Sequence, residues 1–119
     1  MLIKDLNDCE EFIAGDGSLL RQLLHPEKIT VACRYSLCHA TVKPGQTTIP
    51  HRLRTSEVYY VLEGEGFMSI DGESKTVWPG QVIYIPPCST QHIQNTGGSD
   101  LTFLCIVDPA WREEDEEIV

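Results

Sequence analysis

Six side chains that can bind a metal ion or exchange a proton lie close together in two short segments of the chain. They are His51, Glu57 and Tyr59 in the first segment and Cys88, Gln91 and His92 in the second. Imidazole, carboxylate and thiolate groups bind divalent metal ions, and imidazole and carboxylate groups also serve as general acids and bases. We therefore expect any chemistry to take place where these two segments meet.

A series of short β-prone runs must position those side chains. The predicted strands are Thr30–Val42, Val58–Glu63, Phe67–Ile70, Lys75–Val77, Val82–Ile85, Ile93–Gln94 and Leu101–Val107. Gly, Pro, Asn and Asp residues separate them, and turns such as Asp71-Gly72 supply the positive φ angles of tight hairpins. The pattern predicts an all-β protein built as an antiparallel barrel or sandwich.

The N-terminal prelude, residues 1–28, has a different pattern. Ser18 is suitably placed to act as the N-cap of a short helix over residues 19–24, which Pro26 would end. We therefore expect a short helical N-terminal segment before the barrel.

The C-terminal residues 110–119 contain an acidic run at residues 113–117, which predicts a solvated tail. No internal repeat or low-complexity linker divides the chain. Residues 1–119 are thus predicted to form a single domain, with the barrel over residues 29–109.

The composition limits the kinds of partner and the compartment. The formal net charge is -9, with 18 acidic against 9 basic residues, so we expect no nucleic-acid partner. No apolar run is long enough to span a membrane and the N-terminus lacks the pattern of a secretory signal. The five cysteines include no C-x-x-C pair, which predicts reduced thiols and no disulfide framework. We therefore expect a cytoplasmic protein with no membrane partner.

Two blocks of residues resemble the paired motifs of the cupin family. In the first motif a glycine is followed by His-x-His, a glutamate and another glycine, and Gly45, His51, Glu57 and Gly64 lie at those positions. Leu53 replaces the second histidine.

The second block, residues 80–95, resembles the second cupin motif. Gly80, Pro86 and Asn95 match its glycine, proline and asparagine. Cys88 replaces a glycine and Gln91 replaces the histidine. Two ordered motifs are a specific signal of fold, and the resemblance implies the cupin double-stranded β-helix, a jelly-roll barrel.

The resemblance also implies a metal site in the lumen of the barrel. Cupins hold one divalent ion with three histidines and a glutamate, and the aligned residues here are His51, Glu57 and Gln91. Sequence does not choose among Fe, Mn, Ni and Zn. His92 is an alternative ligand, but side chains alternate along a strand, so we expect Gln91 to point inward and His92 outward unless a bulge reverses them. For the pair His51 and Glu57 the alternative is a buried ion pair or hydrogen bond in an empty lumen.

Several other residues have both a functional and a structural interpretation. Tyr59 shares the face of Glu57, so both are candidate catalytic residues of the lumen, although Tyr59 equally suits core packing. His39 is another possible ligand, and Cys88 a possible reactive thiol. Arg52 and Arg54 could guide an anionic substrate or simply be solvated.

Fold does not fix function among cupins. The first hypothesis is a metal-dependent enzyme of dioxygenase or isomerase type that acts on a small organic acid, a sugar or a phenolic compound. If no metal is bound, Glu57 becomes a candidate general base. The second hypothesis is a non-catalytic binding or sensing protein with a degenerate metal site, which Leu53 and Gln91 favour. Either would hold a small-molecule ligand in the lumen, and the resemblance implies a homodimer.

Overall fold

A computed structural model describes all residues from Met1 to Val119 and contains two antiparallel sheets. The first sheet has the strand order β1-β2-β3-β10-β5-β8. Its strands are β1 (Glu11–Ile13), β2 (Leu19–Leu24), β3 (Ser36–Val42), β5 (Ser56–Glu63), β8 (Val82–Ile85) and β10 (Leu101–Asp108). The second sheet has the order β11-β4-β9-β6-β7. It consists of β4 (His51–Leu53), β6 (Gly66–Ile70), β7 (Glu73–Val77), β9 (Gln91–Asn95) and β11 (Glu116–Ile118).

The two sheets face one another around a shared apolar core. Side chains of β5 and β10 alternate between buried and more exposed, so that Tyr59, Val61 and Phe103 point inward. The rings of Tyr59 and Phe103 lie 4.4 Å apart between centroids. Met68 and Ile93 of the second sheet complete this core. The architecture is the predicted all-β jelly-roll barrel.

Gly64, the last glycine of the first motif, closes the turn between β5 and β6. Its φ is +90°, in the left-handed region that disfavours a side chain. A Cβ at this position would lie 2.6 Å from the carbonyl oxygen of Asp100. Only glycine therefore fits where the chain passes the start of β10.

Most predicted strands occur, with small changes at their ends. Val82–Ile85 is a strand as predicted, and β5, β6, β7, β9 and β10 each contain their predicted run. The first predicted strand was too long, because residues 30–35 are not in a strand and β3 begins at Ser36. The three-residue strand β4, which carries His51, was not predicted.

The predicted helix over residues 19–24 is wrong, because this segment is strand β2. It pairs with β1 on one side and β3 on the other. Ser18 does not cap a helix, since its hydroxyl donates instead to the Asp16 carboxylate at 2.6 Å. Packing against β3 overrides a local helical pattern of this kind.

The acidic run predicted to be a solvated tail is ordered structure instead, although Glu113, Glu114 and Glu117 are exposed. Glu113–Asp115 form a 3-10 turn, and β11 pairs with β4 in the second sheet. Asp115 is buried and accepts hydrogen bonds from Arg112. The only other helical piece is a 3-10 turn at Leu6–Asp8, and no helix is long and apolar enough to cross a lipid bilayer.

Candidate functional site

A cavity of about 580 Å³ opens on the inner face of the six-stranded sheet. Strands β2, β3, β5 and β10 supply its floor, and His51 and Leu53 of β4 supply one side. The terminal segments 12–18 and 111–116 complete the wall. The ends of the chain thus help to form the lumen.

Glu57, Gln91 and Tyr59 form a hydrogen-bonded chain in the interior. Glu57 and Tyr59 lie on one face of β5, and Gln91 reaches them from β9 in the opposite sheet. The Gln91 amide nitrogen donates to Glu57 Oε1 at 2.7 Å, and the Tyr59 hydroxyl donates to Gln91 Oε1 at 2.9 Å. All three residues are more than nine-tenths buried. The chain fixes the orientation of the Glu57 carboxyl, whose second oxygen, Oε2, has no hydrogen-bond partner in the protein.

His51 is also buried and lines the cavity with Glu57 and Tyr59, and one of its two ring nitrogens makes a hydrogen bond within the protein. Its Nδ1 donates to the carbonyl oxygen of Ile49 at 2.8 Å. Its Nε2 lies 3.9 Å from Asp16 Oδ2, which is too far for a direct hydrogen bond. Asp16 is itself fixed, because its Oδ1 accepts from both the amide and the hydroxyl of Ser18. The ring and the carboxylate therefore present two separate polar atoms to the cavity.

The site strongly perturbs the acidity of Glu57. Burial raises the pKa of its carboxyl from an ordinary 4.5 to about 8. The hydrogen bond from Gln91 opposes that rise, while the nearby carboxyls of Asp16 and Glu116 add to it. Glu57 is therefore mostly protonated at neutral pH, unlike a glutamate in water.

Comparison with known proteins shows the family. Residues 38–107, well over half of the chain, match the family Cupin_2, described as a cupin domain. The chain belongs to the cupin family. An uncharacterized protein of Methanocaldococcus jannaschii is 43% identical over 91% of this cupin and 86% of its own length.

Two further relatives have named activities. The glucose-6-phosphate isomerase of Thermococcus gammatolerans is 30% identical over 77% of this cupin, but the match spans only 47% of the isomerase. The solved structure of the polyketide cyclase RemF from Streptomyces resistomycificus superposes with a TM-score of 0.77 at 25% identity, over 97% of this cupin and 89% of the cyclase. These similarities support the fold and family.

The residues aligned with the cupin metal ligands do not fit a metal ion. Both polar atoms of the Gln91 amide are engaged, with the oxygen turned to Tyr59 and the nitrogen to Glu57. Leu53 is buried where the family has a histidine and offers no donor. No group of three His, Cys, Asp or Glu side chains in the chain is arranged to hold a metal ion. The structure thus brings His51, Glu57 and Gln91 to one region, but as a hydrogen-bonded group.

The alternative ligands lie away from the cavity. His92 is only partly buried and lies opposite Ser69, on the outer face of β9, as the alternation of side chains predicts. His39 pairs with Arg21 and Leu104 and does not line the cavity. Neither is placed to join His51.

The remaining predicted residues lie on the surface. Cys88 is exposed with a φ of +64°, the conformation that explains the glycine of the motif at this position. Arg52 forms an ion pair with Glu117 at 2.9 Å, and Arg54 is exposed. These three residues lie in an adjacent surface groove, and neither Arg52 nor Arg54 lines the cavity.

The cavity residues that sequence reasoning missed come mainly from the two terminal segments. They are Asp16, His25, Trp111 and Glu116. His25 joins the two ends, because its Nδ1 accepts from the Glu27 amide and its Nε2 donates to the Trp111 carbonyl at 2.8 Å. No motif marks these positions, although the N-terminal Asp16-Gly17-Ser18 pattern does indicate a turn.

Two cysteines also line the cavity from neighbouring strands. Cys38 and Cys105 are directly opposite one another on β3 and β10. Burial raises the pKa of the Cys38 thiol to about 11 and that of Cys105 well above its usual range, with Glu57 adding to both. Since the thiolate is the reactive form, both act as small apolar wall residues.

Proposed function

We propose that this cupin binds a small organic molecule in its cavity and that Glu57 exchanges a proton with that molecule. The observation that carries the proposal is a buried carboxyl group that lines the cavity and keeps one oxygen, Oε2, without a partner in the protein. Because Oε2 belongs to a cavity-lining residue and makes no hydrogen bond in the protein, it can accept a hydrogen bond from a ligand in the cavity or donate one to it. The function therefore places a polar group of the ligand at Glu57 Oε2.

The acidity of Glu57 suits proton transfer at neutral pH. A general acid or base works best when its pKa lies near the working pH, and the pKa of Glu57 is about 8. The protonated carboxyl first gives a proton to the ligand and, once ionised, can take one from another position. The hydrogen bonds from Gln91 and Tyr59 keep the carboxyl in one orientation during both steps. A reaction of isomerase type, which moves a proton within one molecule, needs these properties.

Non-catalytic binding or sensing is the second candidate. Leu53 and Gln91 in place of metal-binding histidines favour it, because both changes remove ligand chemistry that many cupins use. In this case Glu57 contributes only a hydrogen bond to the bound molecule. Both candidates require a ligand in the same cavity.

A fragment screen by nuclear magnetic resonance tests the shared claim. Protein labelled with ¹⁵N reports on the side-chain amide of Gln91, which donates to Glu57, and on the indole of Trp111, which lines the cavity. We expect at least one class of small molecule to shift both signals and the shifts to saturate. If no compound in a chemically diverse library moves the Gln91 amide, the proposed function is wrong.

Deuterium incorporation then separates enzyme from binding protein. A compound found to bind is incubated with the protein in D₂O and analysed by mass spectrometry. The enzyme candidate predicts that wild-type protein introduces deuterium and that Glu57→Gln does not, while binding persists. Binding without incorporation in the wild type would support the sensing candidate instead.

A further inference from the structure

Carboxyl groups dominate the polar lining of the cavity. They belong to Asp16, Glu27, Glu57, Glu113, Glu114 and Glu116. The cationic side chains are Lys28 and Arg112, and Arg112 is already paired with Asp115 at 3.1 Å and Glu114 at 3.3 Å. The whole chain also carries a net charge of -9. An anionic ligand would therefore meet repulsion both on approach and inside.

Two acceptor atoms of buried, cavity-lining residues make no hydrogen bond within the protein. Asp16 Oδ2 is free because Ser18 uses only Oδ1. In the neutral ring of His51, Nε2 is an acceptor because Nδ1 donates to Ile49. Both residues are more than nine-tenths buried, and the two atoms lie 3.9 Å apart. A single donor nitrogen can lie within hydrogen-bonding distance of both, at about 2.9 Å.

A large part of the wall is apolar or aromatic. It includes Leu20, Leu53, Phe103 and Val107 in the interior and Phe12 and Trp111 near the surface. Such a surface suits a hydrocarbon or aromatic body, and aromatic faces attract cations. The lining therefore combines an apolar wall with acceptors for one positively charged donor group.

We propose that the cavity binds a small primary amine, with its ammonium group between Asp16 Oδ2 and His51 Nε2 and its carbon skeleton against the apolar wall. This rests on the proposed function, since it names the ligand class of the same cavity. It sets this cupin apart from relatives named for phosphorylated sugars, such as the glucose-6-phosphate isomerase of Thermococcus gammatolerans.

Matched series of simple probes test the ligand class. The first series is 2-phenylethylamine, 2-phenylethanol and 3-phenylpropanoate, and the second is hexylamine, hexanol and hexanoate. Isothermal titration calorimetry gives each affinity at low and high salt. We expect the amine of each series to bind at least tenfold more tightly than the carboxylate, with an affinity that falls as salt rises.

Asp16→Asn keeps the oxygen that accepts from Ser18, removes the charge and replaces the acceptor Oδ2 with an amide nitrogen that can only donate. We expect it to weaken amine binding at least tenfold, while Glu73→Gln, which removes an exposed charge on β7 outside the cavity, leaves binding within twofold. Glu116→Gln is a second variant that does not touch the turn at Ser18, and we expect at least a twofold loss. Two-dimensional spectra check that each variant is folded.

Three results would overturn the amine assignment. In the first, the carboxylates bind as tightly as the amines. In the second, the affinity for the amines is unchanged in both Asp16→Asn and Glu116→Gln. In the third, no compound of either series binds at millimolar concentration. If the fragment screen nevertheless finds an anionic ligand in the lumen, the proposed function stands and only the ligand class is wrong. If the screen finds no lumen ligand of any kind, both fail.

Discussion

At the scale of single residues, the raised pKa of Glu57 makes the stability of the protein depend on pH. The folded protein holds this carboxyl protonated up to a pKa of about 8, whereas the unfolded chain releases the proton near 4.5. Between these values the unfolded state binds fewer protons than the folded state, so stability falls as pH rises. The contribution is fully present below pH 4.5 and is lost by the time pH passes 8.

Replacing Glu57 with Gln should remove this pH dependence. We expect the free energy of unfolding of Glu57→Gln, minus that of the wild type, to increase by about 1 kcal/mol for each pH unit as pH rises from 5 to 8. Urea denaturation at a series of pH values measures the difference. A difference that stays constant with pH, or that shrinks as pH rises, would show that Glu57 is ionised in the folded protein.

The hydrogen-bonded amide of Gln91 leads to a prediction about metals. Since its polar atoms are engaged and Leu53 offers none, added Mn²⁺, Ni²⁺ or Zn²⁺ should shift the melting temperature of the wild type by less than about 2 °C. The double variant Leu53→His/Gln91→His restores the family's ligand types and should be stabilised by roughly 5 to 10 °C. Strong stabilisation of the wild type by any of these ions would contradict the hydrogen-bonded description.

The sequence predicted part of this site. The motif spacing identified His51, Glu57 and Gln91, because each follows at a set distance from a turn glycine or proline, and side-chain alternation placed Gln91 inward and His92 outward. Asp16 was not predictable, since its approach to His51 depends on the pairing of the β1-β2 hairpin with β3 at the edge of the sheet. Tertiary placement of a segment outside the motifs leaves no local pattern.

At the scale of elements, strands with a clear local pattern were predictable, whereas strands that depend on tertiary pairing were not. Strands bounded by turn residues, such as Val82–Ile85, were predictable from local pattern. The segment Leu19–Leu24 was not, because two pairs of leucines around Arg21 and Gln22 suit a short helix as well as a strand, and pairing with β3 decides the outcome. Strand β11 was hidden for a similar reason: its acidic side chains indicate exposure, while its backbone pairs with β4.

The turn before β9 offers a test of local strain. Cys88 has a φ of +64°, which costs a non-glycine residue about 1 to 2 kcal/mol, and glycine loses about 0.5 to 1 kcal/mol more chain entropy on folding. Cys88→Gly should therefore stabilise the protein by about 0.5 to 1 kcal/mol in guanidinium denaturation.

Asp71→Gly, in the turn between β6 and β7, is the matched control for Cys88→Gly. Asp71 also has a positive φ, of 50°, but its carboxylate accepts a hydrogen bond from the Thr90 amide at 2.9 Å. The lost hydrogen bond should offset the relief of strain, so no gain in stability is expected. Equal gains in both variants, or a loss in Cys88→Gly, would contradict this account of the turn.

At the scale of the whole molecule, we propose that two copies pair through the outer face of the six-stranded sheet. Val58, Tyr60, Val82, Tyr84 and Ile106 form a continuous apolar patch there, because they are neighbours across β8, β5 and β10. Tyr84 is 58% exposed and Val82 65% exposed in the single chain. A patch of this kind is typical of a protein interface, and a twofold axis would let it cover itself.

Light scattering coupled to size-exclusion chromatography tests the dimer. The wild type should have twice the mass of one chain, and Val82→Lys or Tyr84→Lys should have the mass of a single chain. Phe67→Lys, on an exposed position of the other sheet, is the control and should remain dimeric. A wild type with the mass of a single chain would refute the pairing.

The chemistry proposed for the lumen depends on a protonated Glu57 carboxyl group held within a hydrogen-bonded chain. The most direct test is the titration of Glu57 by ¹³C nuclear magnetic resonance in protein labelled at the glutamate carboxyls, with Glu57→Gln to assign its signal. The structure predicts a midpoint near the pKa of about 8. A midpoint near 4.5, with Glu57 ionised at neutral pH, would contradict the account.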